Sequence, residues 1–458
     1  MSSGPTRRDV LKVAAAGGAL LAPYRASGAN DRVRVAVVGL RGRGFDHIKK
    51  IKDTPGVELA AIVDVDEKVL ADRLGDIEKL GLAKPKTFGD IRKMLEDQSI
   101  DAITIAAPNH WHSLMGIWAC QAGKDVYVEK PLSHNWWEGK QLVAAVNRYN
   151  RIAQHGTQSR SSIGAREAIQ KIHDGLVGDV YLARGLCYKW RDTIGRKPRE
   201  AVPAGFNYDL WLGPAPDRGF TRNRYHYNWH WFWDTGNGDL GNQGIHEVDT
   251  ARWGLGVKFP NKVSAIGGHV MFDDDQETPN VLNCAYEFNM PDGKRRLMEF
   301  EVRHWMTNHE AEIGVFGGGS VLPAAGVNTL GPPTGKPGTI GNIFYGPGGY
   351  LAIQEYESYK YWLGEKQEPS PVSRGKENHF ANFIECVRSR KKEDLNAPVE
   401  EGHISCTLVH LANVSYRLGR TLNFDPVTEQ VIGDDEANRL LRDADRGYRA
   451  GFTIPDTV

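Results

Sequence analysis

The tripeptide Glu129-Lys130-Pro131 ends the short apolar stretch Asp125-Val126-Tyr127-Val128 and sets a lysine between an acid and a proline. Pro131 fixes the chain direction there, through a cis bond if the turn needs one, and presents Lys130 to a crevice beyond the strand end. Most lysines at strand ends are solvated. One held at the mouth of a crevice can carry a proton. A second set lies in Asn242-Gln243-Gly244-Ile245-His246-Glu247-Val248-Asp249. On a helix Asn242, His246, Asp249 and Trp253 fall at i, i+4, i+7 and i+11, a single stripe. A third set is the turn Gly39-Leu40-Arg41-Gly42-Arg43-Gly44 behind the apolar run Val33–Val38. Gly39 permits a tight turn, Gly44 lets a following helix pack closely, and the first amides of that helix face a pyrophosphate. The usual middle glycine is Arg41, so the pattern is GxxGxG. Asp64, about twenty residues on at the end of a second apolar run, completes the dinucleotide signature. A carboxylate there accepts both ribose hydroxyls and repels a 2′-phosphate, which favours NAD over NADP. Its bland alternative is a cap on the next helix.

The elements that must position these groups differ between the two parts of the chain. From Arg32 to about Ala153, short continuous apolar strands alternate with helices: Val33–Val38, Val57–Val63, Asp101–Ala106 and Asp125–Glu129. That pattern is a parallel sheet covered on both faces, an α/β Rossmann domain. Pro108-Asn109-His110-Trp111-His112 follows one strand end, where ligands bind in such sheets. Beyond Val180 the stretches Val180–Cys187, Val263–Val270, Leu282–Phe288 and Leu297–Val302 lack regular intervening helices. They predict an α+β domain with a large, mostly antiparallel open sheet. Gly317 to Gly349, rich in Gly and Pro, reads as a long loop. Helical signals at Glu377–Arg390 and Glu401–Leu418 pack back on the body. The domain reading is a leader over 1–29, a dinucleotide domain over 30–153 and a substrate and oligomerisation domain over 154–458.

The glycine turn, Pro108–His112 and Glu129-Lys130-Pro131, in this order and spacing, resemble the Gfo/Idh/MocA oxidoreductase family. Asn207-Tyr208-Asp209-Leu210-Trp211-Leu212-Gly213 and Ser415-Tyr416-Arg417-Leu418-Gly419-Arg420 resemble its exported branch. The resemblance implies a nicotinamide cofactor between the two domains, with Lys130 as a catalytic group near a substrate hydroxyl. It makes Gly39, Arg41, Gly42, Gly44, Asp64, Asn109, His112, Glu129 and Lys130 the candidate cofactor contacts. Removing a hydroxyl proton needs a base, and a histidine titrates near ambient pH. His246 matches the histidine of the family's Asp-x-x-x-His pattern, whereas Asn242 replaces its aspartate. An amide orients a sugar hydroxyl but accepts no proton at neutral pH, which leaves His246 or Lys130 as the base. Asn242, Asp249, Lys189 and Arg191 are the candidate substrate contacts. Asp249 could instead pair with Arg252 or fix the histidine tautomer, and His246 could be a core histidine. His226, His230, His246 and Asp249 also carry metal-like spacings, although the aromatic run Tyr225–Trp233 suits a sugar ring better. No metal is expected.

Acidic and basic residues balance at 57 each, which leaves no basic footprint for nucleic acid. The five scattered cysteines read as buried thiols. The chain opens Thr6-Arg7-Arg8-Asp9-Val10-Leu11-Lys12, followed by a soft apolar run and small residues ending at Ala29. This is the form of a Tat-type signal, and its apolar run of about ten residues is too short to span a bilayer. The expectation is a periplasmic or otherwise exported homo-oligomer, delivered by the Tat machinery, with no membrane span in its mature form. Its partner is a small carbohydrate and its NAD is tightly held. Outside the cytoplasm there is no free nucleotide pool, so a one-way dehydrogenase would stall. Either a second sugar resets the cofactor, or one substrate is oxidised and reduced again. The second scheme permits net glycoside hydrolysis by elimination and hydration, an activity that the resemblance brings with it. The rival class is a non-catalytic sugar-binding protein on a retained dinucleotide fold. An intact turn, Asp64, Lys130 and His246 argue against it.

Overall fold

The computed structural model describes residues 32–305, 308–314, 338–442 and 447–458. The expected leader lies outside the described residues. Strands β1 (Val33–Val38), β2 (Val57–Val63), β3 (Lys86–Phe88), β4 (Ala102–Ile105), β5 (Asp125–Val128) and β6 (Ala153–His155) form one parallel sheet in the order β3-β2-β1-β4-β5-β6. Order reverses between β1 and β4, and the crevice at that switch point is where α/β sheets bind ligands. Helices α1 (Gly42–Asp53), α2 (Glu67–Lys79), α3 (Ile91–Leu95), α4 (Asn109–Gln121) and α5 (Trp136–Arg148) connect the strands. Near-continuous Val, Ile and Ala in β1, β2 and β4 are buried on both faces, as a parallel sheet between helices requires.

After α6 (Ile163–His173), β7 (Leu182–Lys189) enters a second sheet. The chain then forms α7 (Tyr208–Leu212), α8 (Gly238–Asn242) and α9 (Gly244–Leu255) before β8 (Lys262–Gly268), β9 (Val281–Asn289) and β10 (Arg295–His304). β11 (Gly338–Gly346), β12 (Gly349–Gln354) and β13 (Ser358–Leu363) follow, with β14 (Glu368–Pro369) and β15 (Ser373–Arg374) at the edge. Last come α10 (His379–Ser389), α11 (Val399–Leu418), β16 (Leu422–Asp425), β17 (Gln430–Val431) and α12 (Asp435–Leu441). Among the described residues this sheet has eleven strands, antiparallel except for the β7–β10 pair. Helix α9 lies on β7, β10 and β11, and α11 packs on α9, β8 and α5. One continuous apolar core therefore joins both sheets.

The loop reading of Gly317–Gly349 needs correction at its end. Residues 315–337 lie outside the described residues, but Gly338–Gly346 is strand β11, paired with β7 and β12. Its glycines mark close backbone packing. A Cβ on Gly341 would come within 2.1 Å of the Ile353 carbonyl oxygen. All five cysteines are buried and unpaired. No helix among the described residues is long and apolar enough to cross a membrane.

Candidate active site

A groove runs along the carboxyl ends of β1, β2 and β4, from Asp64 and Asp90 at one end to Lys130 and Asn242 at the other. Gly39, Arg41, Gly42, Asp64, Asn109, His112, Glu129, Lys130 and Asn242 line it. Gly44, His246, Asp249, Lys189 and Arg191 lie behind that lining.

The glycine turn is built for close approach. Gly39 has φ +80°, and a Cβ there would lie 2.7 Å from the Ala106 carbonyl oxygen. A Cβ on Gly44 would sit 1.7 Å from the Gly39 carbonyl oxygen, so the helix packs on the turn only with glycine there. Asp64 accepts from the Leu40 N–H at 2.8 Å and the Asp66 N–H at 3.1 Å, which fixes its carboxylate at the end of β2. The helix cap is instead Asp66, whose side chain accepts from the Lys68 and Val69 amides. Burial pushes Asp64 up to about 6, against the two backbone donors. A turn with no room for a Cβ at Gly39 or Gly44, a helix N-terminus and a fixed carboxylate suit a dinucleotide: Gly39 to Gly44 would hold its pyrophosphate and Asp64 its ribose. If Asp64 holds the ribose, nucleotide affinity falls about tenfold per unit as pH drops below about 6. Asp64→Ala weakens binding and abolishes that slope. Calorimetric titration between pH 7 and 5 is the check, and a flat wild-type profile contradicts it.

The Lys130–Pro131 bond is cis. His112 bridges the turn, its ring nitrogens 2.6 Å from the Pro131 carbonyl oxygen and 2.7 Å from that of Ala107. Glu129 is buried; Arg43 Nε donates to it at 2.7 Å, and His47 Nε2 lies 3.0 Å away. Although burial raises its pKa, the charge of Arg43 and the His47 contact outweigh this and hold the carboxyl well below its ordinary value. Lys130 Nζ donates to the Asn242 main-chain oxygen at 2.6 Å and to Oδ1 at 3.2 Å. An ammonium has three donors, and these two bonds leave one for a ligand in the groove. Desolvation lowers Lys130 to about 8, with Glu129 pulling the other way. Both protonation states are thus accessible near neutral pH.

Helices α8 and α9 break at Gln243, where the His246 N–H donates to the Gln243 carbonyl. The stripe therefore splits in its roles. Asn242 faces Lys130. His246 is buried 4.8 Å from the Tyr356 ring, its Nδ1 without a partner among the described residues. Desolvation, and then the charge of Lys130, hold it well below the usual histidine value, so it is neutral at pH 7. Asp249 lies in a different network: Arg160 binds it bidentately at 2.7 and 2.9 Å, and Ser405 Oγ donates at 2.6 Å. Arg252, the pairing that the sequence offered as an alternative, also lies 3.8 Å from it, and His246 is not its partner. Lys189 Nζ donates to Gln243 Oε1 at 3.2 Å. Arg191 clamps Asp239 at 2.9 and 3.0 Å and donates to the Tyr227 hydroxyl at 2.8 Å. Among the described residues, no group of three or more His, Cys, Asp or Glu is arranged to hold a metal.

Sequence reasoning missed Asp239. Its buried carboxylate accepts from Arg191, from Asn242 Nδ2 at 3.1 Å, and meets His304 Nε2 at 2.8 Å. With Nδ2 so engaged, Asn242 Oδ1 is the atom turned to Lys130. The signal was there: Asp239 stands three residues before Asn242, one helical turn away.

Models of the oxidoreductase family match twice, an NAD-binding Rossmann fold over residues 33–157 and a C-terminal alpha/beta domain over 169–284 and 354–450. The chain belongs to the Gfo/Idh/MocA family. A glycosyl hydrolase family 109 protein of Shewanella pealeana is 34% identical over 122 residues, 26% of this chain and 27% of that protein. The match thus spans about a quarter of that relative. The aldose–aldose oxidoreductase of Caulobacter crescentus, solved with glycerol, superposes with a TM-score of 0.60 at 17% identity, covering 86% of this chain and 100% of that one. The WlbA dehydrogenase of Bordetella pertussis, solved with NADH and UDP-GlcNAcA, gives 0.59 at 18% identity over 86% and 99%. At such identities the likeness establishes the fold.

Proposed function

We propose that this chain is an exported NAD-dependent enzyme of the oxidoreductase type that acts on a carbohydrate or glycoside and recycles a tightly held cofactor within each turnover. The observation that carries the reading is Lys130, whose ammonium lies where the dinucleotide groove meets the second domain, held by both oxygens of Asn242. When bound, NAD supplies a hydride acceptor that can later return the hydride. Lys130 above about pH 8 takes the proton of a ring hydroxyl as it becomes a ketone. The ammonium form of Lys130 then hydrogen-bonds the new carbonyl oxygen and returns the proton on reduction. Asp64 and Asp66, side by side at the ribose end, favour NAD over a 2′-phosphorylated cofactor. Substrate scope is supported by the nucleotide sugar bound to the WlbA dehydrogenase, and export by the twin-arginine opening of the sequence.

The likeness to a glycosyl hydrolase family 109 protein favours one form of this cycle, net glycoside hydrolysis. A ketone acidifies the neighbouring C–H, so a glycosidic group leaves by elimination, water adds, and the ketone is reduced again. The test is turnover of single glycosides by exported, purified protein with no nucleotide and no second sugar added, alongside analysis of the nucleotide released on denaturation. Turnover with NAD in the supernatant supports the closed cycle. A requirement for a second reducible sugar would assign a two-sugar exchange instead, and absence of nucleotide would contradict the reading.

A further inference from the structure

Residues 203–237 leave the second domain between β7 and α8, cross to the dinucleotide groove and return. At the Asp64 end they are stitched to the β2–α2 turn by main-chain bonds. The Glu67 N–H donates to the Gly205 oxygen and the Asn207 N–H to the Val65 oxygen, both at 2.9 Å. Asp66 and Phe206 form an isolated antiparallel bridge between these two bonds. The Tyr225 hydroxyl donates to the Asp66 carboxylate. Near Lys130 the segment is held by the start of α4. There Trp111 Nε1 donates to the Trp211 carbonyl at 2.9 Å, and His110 Nε2 approaches the same oxygen at 3.1 Å. Asn109 Nδ2 donates to Asn237 Oδ1 at 3.1 Å. Gly213, at φ +48°, passes so close to Trp111 that a Cβ would come within 2.1 Å of the indole.

The segment has its own apolar interior, in which Phe206, Trp211, Leu212 and Phe220 are buried with Val65 and Tyr225 against them. Phe206, Tyr225, His226 and Trp229 form a wall of the groove opposite the glycine turn. His226 is held at φ +74°, in the left-handed region that non-glycine residues occupy where surroundings over-determine them.

We propose that residues 203–237 are a retention strap for the dinucleotide, with the Tyr225–Asp66 bond as its latch. A nucleotide in the groove leaves only when the stitches at Val65, Asp66 and Glu67 open together, a local unfolding step rather than simple diffusion. The strap makes NAD a resident group of the protein, and this inference rests on the NAD reading above.

The test follows replacement of bound NAD by isotope-labelled NAD, read by mass spectrometry, in the whole purified protein. Tyr225→Phe keeps the ring and removes only the latch hydrogen bond to a carboxylate, so exchange is expected to accelerate roughly tenfold to hundredfold. Phe206→Ala empties the strap interior and accelerates it further. Hydrogen exchange at Glu67 and Asn207 should slow when NAD is added and quicken in Tyr225→Phe, which separates opening of the strap from general unfolding. Nucleotide that binds wild type but exchanges equally fast in all three proteins would overturn the strap and leave the cofactor reading standing. Wild type that binds no NAD would overturn both.

Discussion

Lys130→Met is expected to keep the fold and the bound nucleotide while turnover falls roughly 10²–10⁴-fold, the range for loss of a positioned acid–base group. Methionine fills much of the same space, and the residue it replaces is a cation that its surroundings disfavour. The pH dependence separates chemistry from structure. Oxidation by wild type should rise through about pH 8 as the ammonium gives up its proton, and the variant should lack that limb. Stability has its own sign. Folded Lys130 has lost its proton above about 8, whereas the unfolded chain keeps it up to the ordinary value of 10.5. Over that window the unfolded state binds more protons, so wild type gains stability relative to Lys130→Met as pH rises. Full turnover in the variant would leave Lys130 as a structural tether between the two domains.

Asp239→Ala should be the most destabilising change at the site. Burial alone would raise this carboxyl, but Arg191 and His304 outweigh it and hold it well below the ordinary value, so it is charged at neutral pH. Alanine strands the partly buried Arg191 guanidinium, and breaking one side of a buried pair costs up to roughly 3–5 kcal/mol. The same change frees Asn242 Nδ2, so the amide no longer presents Oδ1 to Lys130. The prediction is a large fall in urea midpoint with turnover reduced even under folding conditions. Asn242→Ala, by contrast, removes only the Oδ1 contact to Lys130, keeps the main-chain one and leaves the Asp239–Arg191 pair intact, so it should lower turnover at small cost in stability. Equal stability of Asp239→Ala and wild type would contradict the clamp.

What the sequence revealed and what it hid divide along a physical line. The glycine turn, Asp64 and Glu129-Lys130-Pro131 are legible because each is a local demand: a turn without room for Cβ, a strand-end acid, a fixed chain direction. Strands of the parallel sheet are legible because burial on both faces leaves continuous Val and Ile. β11 reads as loop because its glycines serve close contact between neighbouring strands, a requirement with no periodic trace. Arg191 and Asp249 read as substrate contacts because charge in a crevice resembles recognition. Their hydrogen-bonded partners, Asp239 and Arg160, lie 48 and 89 residues away, out of reach of local pattern, whereas the approach of Arg252 to Asp249, three residues on, was legible. Trp111 and His110 hold a carbonyl about a hundred residues on, so the strap they anchor could not be read from their neighbourhood.

The central claim is that a ring carbon is oxidised and reduced again within one turnover. It is tested most directly with a glycoside carrying deuterium at that carbon, turned over without added nucleotide while the bound cofactor is followed by absorbance. The account predicts a slowed rate with the deuterated substrate, a reduced-nucleotide signal that rises and decays, and uptake of solvent deuterium at the neighbouring carbon in heavy water. A glycosidase working through paired carboxylates shows no primary effect there and no exchange at the neighbour. Full turnover with neither an isotope effect nor a transient reduced cofactor would contradict the account and leave the dinucleotide without a part in the chemistry.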